Sequence, residues 1–285
     1  MNTANTPKPS RHRHISFTAH YTGYVWYQMG ISHPVFATPK GKLLTLIAHP
    51  FESFGEKVVG GSMRSTLKTR HTLLDEHLTA LIQQHPDLQV LEIAAGLSPR
   101  GWWFRQNYPD ITYRELDLPD MADTKQAALQ QAQPDSPQVL SADLFSEEFQ
   151  QVFQVFDPNK ALVIISEGLI NYFSKALLKQ LLQSIARYGA PFQQLYYLTD
   201  LYPEPTQNRF AQLIWSSSKL LKFASRSAFS FHFTSPVEVE QFFQQAGFAQ
   251  VEVIQPSHYF SKNSTANDNS QQHLGDLVWM VRASL

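Results

Sequence analysis

Residues 88–119, LQVLEIAAGLSPRGWWFRQNYPDITYRELDLP, decide the fold. Leu88 to Ile93 is a short apolar run with β-branched residues, bounded by Pro86-Asp87 and by Gly96, and it predicts a buried strand. Ala94-Ala95-Gly96 lets the backbone turn sharply and leaves no Cβ in the way of a ligand at the glycine. Arg100 to Tyr108 predicts a short helix, and Ile111 to Leu116 a second strand ending on Asp117. Strand, small-residue turn, helix, strand and terminal acid form half of a nucleotide-binding α/β unit. Asp117 lies 21 positions after Gly96, near the roughly 20-residue spacing at which an acid reaches ribose hydroxyls in such folds. Ionised, it accepts only, so it can take both hydroxyl protons of a cis-diol. No G-x-G-x-x-G is present, which argues against a dinucleotide and for a smaller adenosine-bearing ligand without phosphates. The plainer alternative is an ordinary βαβ turn with a surface acid.

Working outward, the pattern of alternation continues. Thr69 to Gln84 places Leu73, Leu74, Leu78, Leu81 and Ile82 at helical spacing and leads into the first strand. Ala122 to Gln133 reads as helix, opened by Pro119, and Val139 to Ala142 as a third strand before Asp143-Leu144. Phe145 to Phe156 reads as helix plus loop. Ala161 to Ser166 (ALVIIS) has the continuous apolar character of a buried parallel strand and ends at Glu167-Gly168. Ser174 is an N-cap for Lys175 to Tyr188, with Gly189 as the stop, and Gln193 to Asp200 is a fifth strand. Helices are read over 210–223 and, from the capping box Ser235-Pro236-Val237-Glu238, up to Gly247. Val251 to Ile254 and Leu277 to Val281 are the last strands, around a polar loop over 263–272.

Strands alternating with helices predict an α/β fold with a mainly parallel sheet. Ligands of such sheets bind beyond the carboxyl ends of the strands, where Gly96, Asp117, Asp143 and Glu167 all fall. Upstream, residues 1–14 are expected to be a disordered tail, and 15–68 a helical cap before the binding domain of 69–285. The cap begins with a helix over 15–29 carrying Tyr21, Tyr24, Trp26 and Tyr27, which serve either core packing or the wall of a substrate cavity. A further helix is read near 42–48.

Composition narrows the chemistry. The formal charge is -1 and only 16% of the 285 residues are charged, so no basic field for nucleic acid exists. There are no cysteines, which excludes disulfides, thiol catalysis and cysteine-held zinc. The eleven histidines form neither a triad nor metal-ligand spacing. No run approaches the 18 or so apolar residues of a membrane span, and a soluble cytoplasmic protein is the expectation.

Taken together these residues resemble the leucine carboxyl methyltransferase family, with its bacterial polyketide O-methyltransferase branch, among the class I S-adenosylmethionine-dependent methyltransferases. The matching segments are Thr69-Arg70-His71 with Asp75, Val90 to Leu97 with Arg100, Tyr113 to Pro119, Ala142-Asp143-Leu144 and Ser166 to Tyr172. The resemblance implies a Rossmann-like sheet, mainly parallel with an antiparallel strand near the C-terminus, and S-adenosylmethionine as cofactor. It implies that Arg70 grips the methionine carboxylate, that Gly96 passes under that moiety and that Asp117 holds the ribose. Asp143 and Leu144 would contact the adenine, Glu167 would receive the ammonium, and Glu92 joins the cofactor-binding set. The acceptor would be a carboxylate, or a phenolic hydroxyl, of a small molecule or a protein end, with Tyr21, Tyr24 and Tyr172 as candidate contacts. Two positions depart from the family pattern: Ala94 stands for its first glycine, and Ser98-Pro99 for its usual Asp-Thr. Two rivals follow, a non-catalytic binding protein on the same scaffold and a nicotinamide-dependent oxidoreductase.

Overall fold

The computed structural model describes residues 16–48, 63–204, 230–263 and 277–285. The expected tail over 1–14, the helix read over 210–223 and all but the first residue of the 263–272 loop lie outside them. A seven-stranded sheet runs in the order β3-β2-β1-β4-β5-β7-β6. Its strands are β1 (Gln89–Ile93), β2 (Thr112–Asp117), β3 (Leu140–Ser141), β4 (Ala161–Ser166), β5 (Gln194–Leu201), β6 (Gln250–Ile254) and β7 (Trp279–Ser284). The first five pair in parallel, and β7 runs antiparallel between β5 and β6. The mainly parallel sheet with its antiparallel C-terminal strand is therefore as expected.

Strand β4 shows why the centre reads as unbroken apolar sequence. Leu162, Val163, Ile164 and Ile165 are all fully buried, because helices cover both faces. Each such side chain contributes about 1.5–3 kcal/mol of burial. Alternate residues serve opposite cores. Val90 joins Leu73, Leu74 and Leu78 of α3 (Met63–Gln84) and Phe104 of α4 (Arg100–Asn107). Leu91 and Ile93 join Leu178, Leu181, Leu182 and Ile185 of α7 (Lys175–Gly189) on the other side. Between them in sequence lie α5 (Pro119–Ala132) and α6 (Glu148–Val152), and α8 (Pro236–Gln245) and α9 (Pro256–Asn263) follow. Before α3, α1 (Ser16–Gln28) and α2 (39–48) precede the sheet.

Three local readings differ from the structure. Gly189 ends α7 as its last helical residue and not as a left-handed residue beyond it, and an added Cβ there would press on the Leu195 side chain of β5. Ser235 caps α8 through Glu238 N–H, but the Glu238 carboxylate accepts from Thr234 N–H and Oγ1 instead of closing a box on Ser235. Helix α9 was not foreseen, although Pro256 opens it at a position that suits proline.

Candidate functional site

Beyond the carboxyl end of β1 the chain turns through two left-handed residues, Ala94 (φ 50) and Gly96 (φ 48). The turn is tied to β2 at two points. Ala95 N–H donates to Leu116 O (3.1 Å), and Gly96 N–H donates to Asp117 Oδ2 (2.7 Å). Asp117 Oδ1 accepts from Leu118 N–H (2.7 Å). Burial raises this carboxyl from its ordinary 3.8 to about 6, against the pull of the two amides. Helix α1 lies on the turn: a Cβ at Gly96 would stand 2.9 Å from Ala19 Cβ. On the next strand Ala142 N–H donates to Asp117 O (3.2 Å), which sets Asp143 just beyond β3. Asp143 Oδ1 accepts from Phe145 N–H (3.0 Å), a turn-forming bond, and Leu144 is half-buried against the core.

The ends of β4 and β5 hold a different kind of assembly. Arg70 Nε donates to Glu167 Oε1 (2.9 Å), its Nη1 donates to Tyr202 Oη (3.2 Å), and Asp200 Oδ2 lies 3.6 Å from that Nη1. Arg100, wholly buried, donates to Glu167 Oε2 (2.7 Å), Glu92 Oε1 (2.9 Å) and Asp75. Tyr113 donates to the other Glu92 oxygen. His71 Nδ1 stands 2.8 Å from Glu167 Oε2 and 2.9 Å from Arg100 Nη2; a ring nitrogen bears a proton or a lone pair, so only one of these is a hydrogen bond. Burial would raise Glu167, but His71, Arg100 and Arg70 hold it well below the usual carboxylate range. Asp200 is raised, chiefly by burial, and its Oδ2 has no hydrogen-bond partner among the described residues. Gly168 (φ 68) makes room for the arginine: a Cβ there would stand 3.0 Å from both terminal nitrogens of Arg70.

The structure thus joins Gly96 with Asp117 and Arg70 with Glu167. It draws Glu92 into the buried network beneath the edge, where both its oxygens are engaged. Among the tyrosines, Tyr172 is half-buried beside Thr18 of α1, with Arg70 near enough to act on it. Tyr21 is half-buried on α1, while Tyr24 turns to α2, its Cβ 2.9 Å from where a Gly41 Cβ would stand. Sequence reasoning missed Asp200 and Tyr202, and gave no role to Asp75 or Arg100. Asp200 was findable, because the rule that selected acids at three strand ends applies equally to β5. Tyr202 carried no signal, since only the fold brings it to Arg70.

Among the described residues, no group of three or more His, Asp or Glu could hold a metal ion. Nor is any described helix long and apolar enough to cross a membrane.

Known proteins can be set beside this geometry. The carbon methyltransferase CurJ superposes on 96% of this chain and 67% of its own, with a TM-score of 0.52 at 14% identity. The apo S-adenosylmethionine-dependent methyltransferase SibL covers 87% of this chain and 60% of its own, at a TM-score of 0.50 and 13% identity. These likenesses establish the class I methyltransferase fold. In sequence, the tetracenomycin polyketide synthesis O-methyltransferase of Streptomyces glaucescens is 26% identical over 40% of each chain. A Mycobacterium tuberculosis protein that carries the name S-adenosyl-L-methionine-dependent methyltransferase is 30% identical over 51% of this chain and 56% of its own. The chain spans about half the length of these relatives. Residues 40–186, which hold β1 to β4 and the ion network's Arg70, Arg100 and Glu167, match the family described as leucine carboxyl methyltransferase, and the chain belongs to that family.

Proposed function

We propose that this protein transfers a methyl group from S-adenosylmethionine to an oxygen of its acceptor, with a carboxylate as the acceptor that the chemistry favours. One observation carries the reading. A left-handed glycine turn, an acceptor-only carboxylate at the β2 end and a buried arginine beside surplus acids lie along one sheet edge in a chain of this family. The residues fit the cofactor at both ends. Asp117 offers oxygens suited to a ribose diol, with Asp143 and Leu144 next to it for the adenine. At the other end Arg70 and Arg100 face Asp75, Glu92, Glu167 and Asp200, so carboxylates outnumber arginines even though His71 joins them. The orphaned oxygen of Asp200 belongs to this excess, which suits a cationic ligand.

When bound, S-adenosylmethionine supplies an electrophilic methyl group on a positively charged sulfur. The chain's own contribution is to hold and to enclose. Arg70 is placed to take a carboxylate by planar charge-assisted bonds. Helix α1, seated on Gly96 and meeting Tyr172 through Thr18, covers the edge and excludes water. Alignment of the reacting atoms alone can supply up to ~7–11 kcal/mol. An ionised carboxylate acceptor needs no general base, and His71 is committed to the ion network.

A phenolic acceptor is the second reading, favoured by the polyketide role in the tetracenomycin relative's name. The test uses methyl-labelled S-adenosylmethionine with carboxylate and phenolic acceptors, followed by mild alkali. A methyl ester releases labelled methanol, as expected. Label kept on an alkali-stable product selects the phenol, and binding of S-adenosylhomocysteine without turnover of any acceptor selects a non-catalytic scaffold.

A further inference from the structure

A lysine with no exposure lies beneath the glycine turn. Lys125, on α5, donates from Nζ to Ser98 O (2.7 Å) and to Ala95 O (3.4 Å), and pairs with Glu115 Oε1 (2.8 Å). Its ammonium also lies 5.7 Å from the ring centre of Phe36, which precedes α2. The Glu115 carboxylate is in turn fixed by Arg105 Nη1 (2.8 Å) and seated against Gly101, where a Cβ would stand 2.6 Å from it. Burying an ammonium is costly unless its donors are satisfied, so this placement has to be matched by what it holds. What it holds are the carbonyls of the two residues that flank Gly96-Leu97.

Those carbonyls belong to a strained segment. Ala94 occupies the left-handed region that L-residues avoid, and Gly96 repeats it two residues later. Such conformations persist only where surrounding contacts over-determine them. Ser98 N–H closes on Ala95 O (3.0 Å), and Lys125 then gathers both Ala95 and Ser98 carbonyls. With its carbonyls drawn down toward α5, the turn presents Gly96 N–H to Asp117.

We infer that Lys125 is a positioning residue for the cofactor: by holding the Ala95 and Ser98 carbonyls, its ammonium sets the turn that receives the methionine end of the ligand. This rests on the proposed function and adds a determinant that lies on α5, behind the turn. Toward the site its direct bonds are to the turn alone, so its loss falls mainly on the amino-acid end. The adenosine end is disturbed less: the Lys125 charge acts on Asp117 only through space, and Asp117 keeps the bond from Leu118 N–H.

The experiment compares S-adenosylhomocysteine and adenosine binding by calorimetry in the wild type, Lys125→Met and Leu129→Ala. Leu129 is a fully buried core residue on the same helix, in the apolar cluster that also holds Leu97, and its truncation lowers stability while leaving the Lys125 bonds to the Ala95 and Ser98 carbonyls intact. In Lys125→Met the S-adenosylhomocysteine affinity is expected to fall at least about tenfold, the scale of one lost charge-assisted bond. Adenosine affinity is expected to change less than about threefold, and Leu129→Ala to shift both ligands by less than that. Equal losses for both ligands, or none for S-adenosylhomocysteine, would overturn the assignment. Should Lys125→Met not fold, Lys125→Gln, which keeps a donor without the charge, must show the same skew between ligands. A wild type that binds neither ligand refutes the proposed function instead, so the two failures are distinct.

Discussion

Glu167 and Asp117 end neighbouring parts of one sheet edge and carry the same functional group, yet each is held in a different way. Glu167 at β4 is surrounded by cations: Arg70, Arg100 and His71 converge on its two oxygens. Asp117 at β2 is held by two backbone amides and has no cation within ion-pair distance among the described residues. The same burial that is overcome at Glu167 prevails at Asp117, and their carboxyls shift in opposite directions. The end proposed for the methionine is thus structural as well, because its charges hold together α3, α4, β1 and β4. The end proposed for the ribose has little cross-linking of its own.

Removing Arg100 should therefore have the largest effect of any single change. In Arg100→Met the carboxylates of Glu92 and Glu167 lose a buried partner, and breaking such a pair costs about 3–5 kcal/mol. Urea unfolding measures it. A loss below about 1 kcal/mol, the scale of an exposed ion pair, would show that the network is not what holds this end together.

Asp117→Asn is the counterpart at the other end. Folding stability should change little because two effects oppose: the side-chain amide can accept from only one of the two backbone N–H groups, a loss of about 1–3 kcal/mol, while the penalty of burying a charge is removed. Binding of S-adenosylhomocysteine should weaken by about 1.5–3 kcal/mol, the range for hydrogen bonds to a charged group. Large unfolding with unchanged affinity would erase the contrast between the two ends.

That contrast was only half visible in the sequence. The fold was legible because the central strands read as apolar runs and the turn carried Ala95-Gly96 before a strand ending in an acid. Gly96 and Asp117 were legible by spacing, since they lie 21 positions apart within one βαβ unit and meet directly. The ion network was not. Arg70 to Glu167 spans 97 positions and Arg100 to Glu92 links a helix to a strand interior, so no local period reports them. A lone Arg at a helix reads as a solvated cation until the fold closes around it. Lys125 was hidden for the same reason, as a lysine in a polar helical stretch gives no sign of its full burial.

A pH series sharpens the comparison further. Asp117 is raised from 3.8 to about 6, so the folded state holds its proton more firmly than the unfolded chain does. Its contribution makes stability fall as pH rises from about 4 to 6, and the change is complete above that window. Glu167 has the opposite sign: its stabilisation is present above its ordinary 4.5 and is lost progressively as pH falls below it. In the proposed function ligand binding follows Asp117, because the ionised carboxylate is the stronger acceptor for a ribose diol. Affinity for S-adenosylhomocysteine should rise with pH up to about 6 and level off, with a slope approaching tenfold per unit well below it. Asp117→Asn should remove that slope. A slope that survives in the variant would place the titrating group elsewhere.

The smallest effect belongs to Ala94, where turn and network meet. Its φ of 50 places a methyl in the left-handed region, at a cost of roughly 1–2 kcal/mol relative to glycine. Ala94→Gly relieves that strain, but glycine gains freedom in the unfolded chain, returning about 0.4–1 kcal/mol. The methyl also packs against the core shared by Leu91 and Ile93, and a half-lost methyl burial returns about 0.4 kcal/mol more. The balance is a stabilisation of about 0.5 kcal/mol, a rise in Tm of a degree or two for a chain of this size. Gly96→Ala runs the other way on both counts, since the backbone is left-handed and Ala19 Cβ is 2.9 Å from the new methyl. Thermal unfolding of both variants reads the pair. If Ala94→Gly destabilises, the methyl's packing outweighs its strain. Alanine then stands at this position for the core, and the turn's geometry is set by the contacts that hold it.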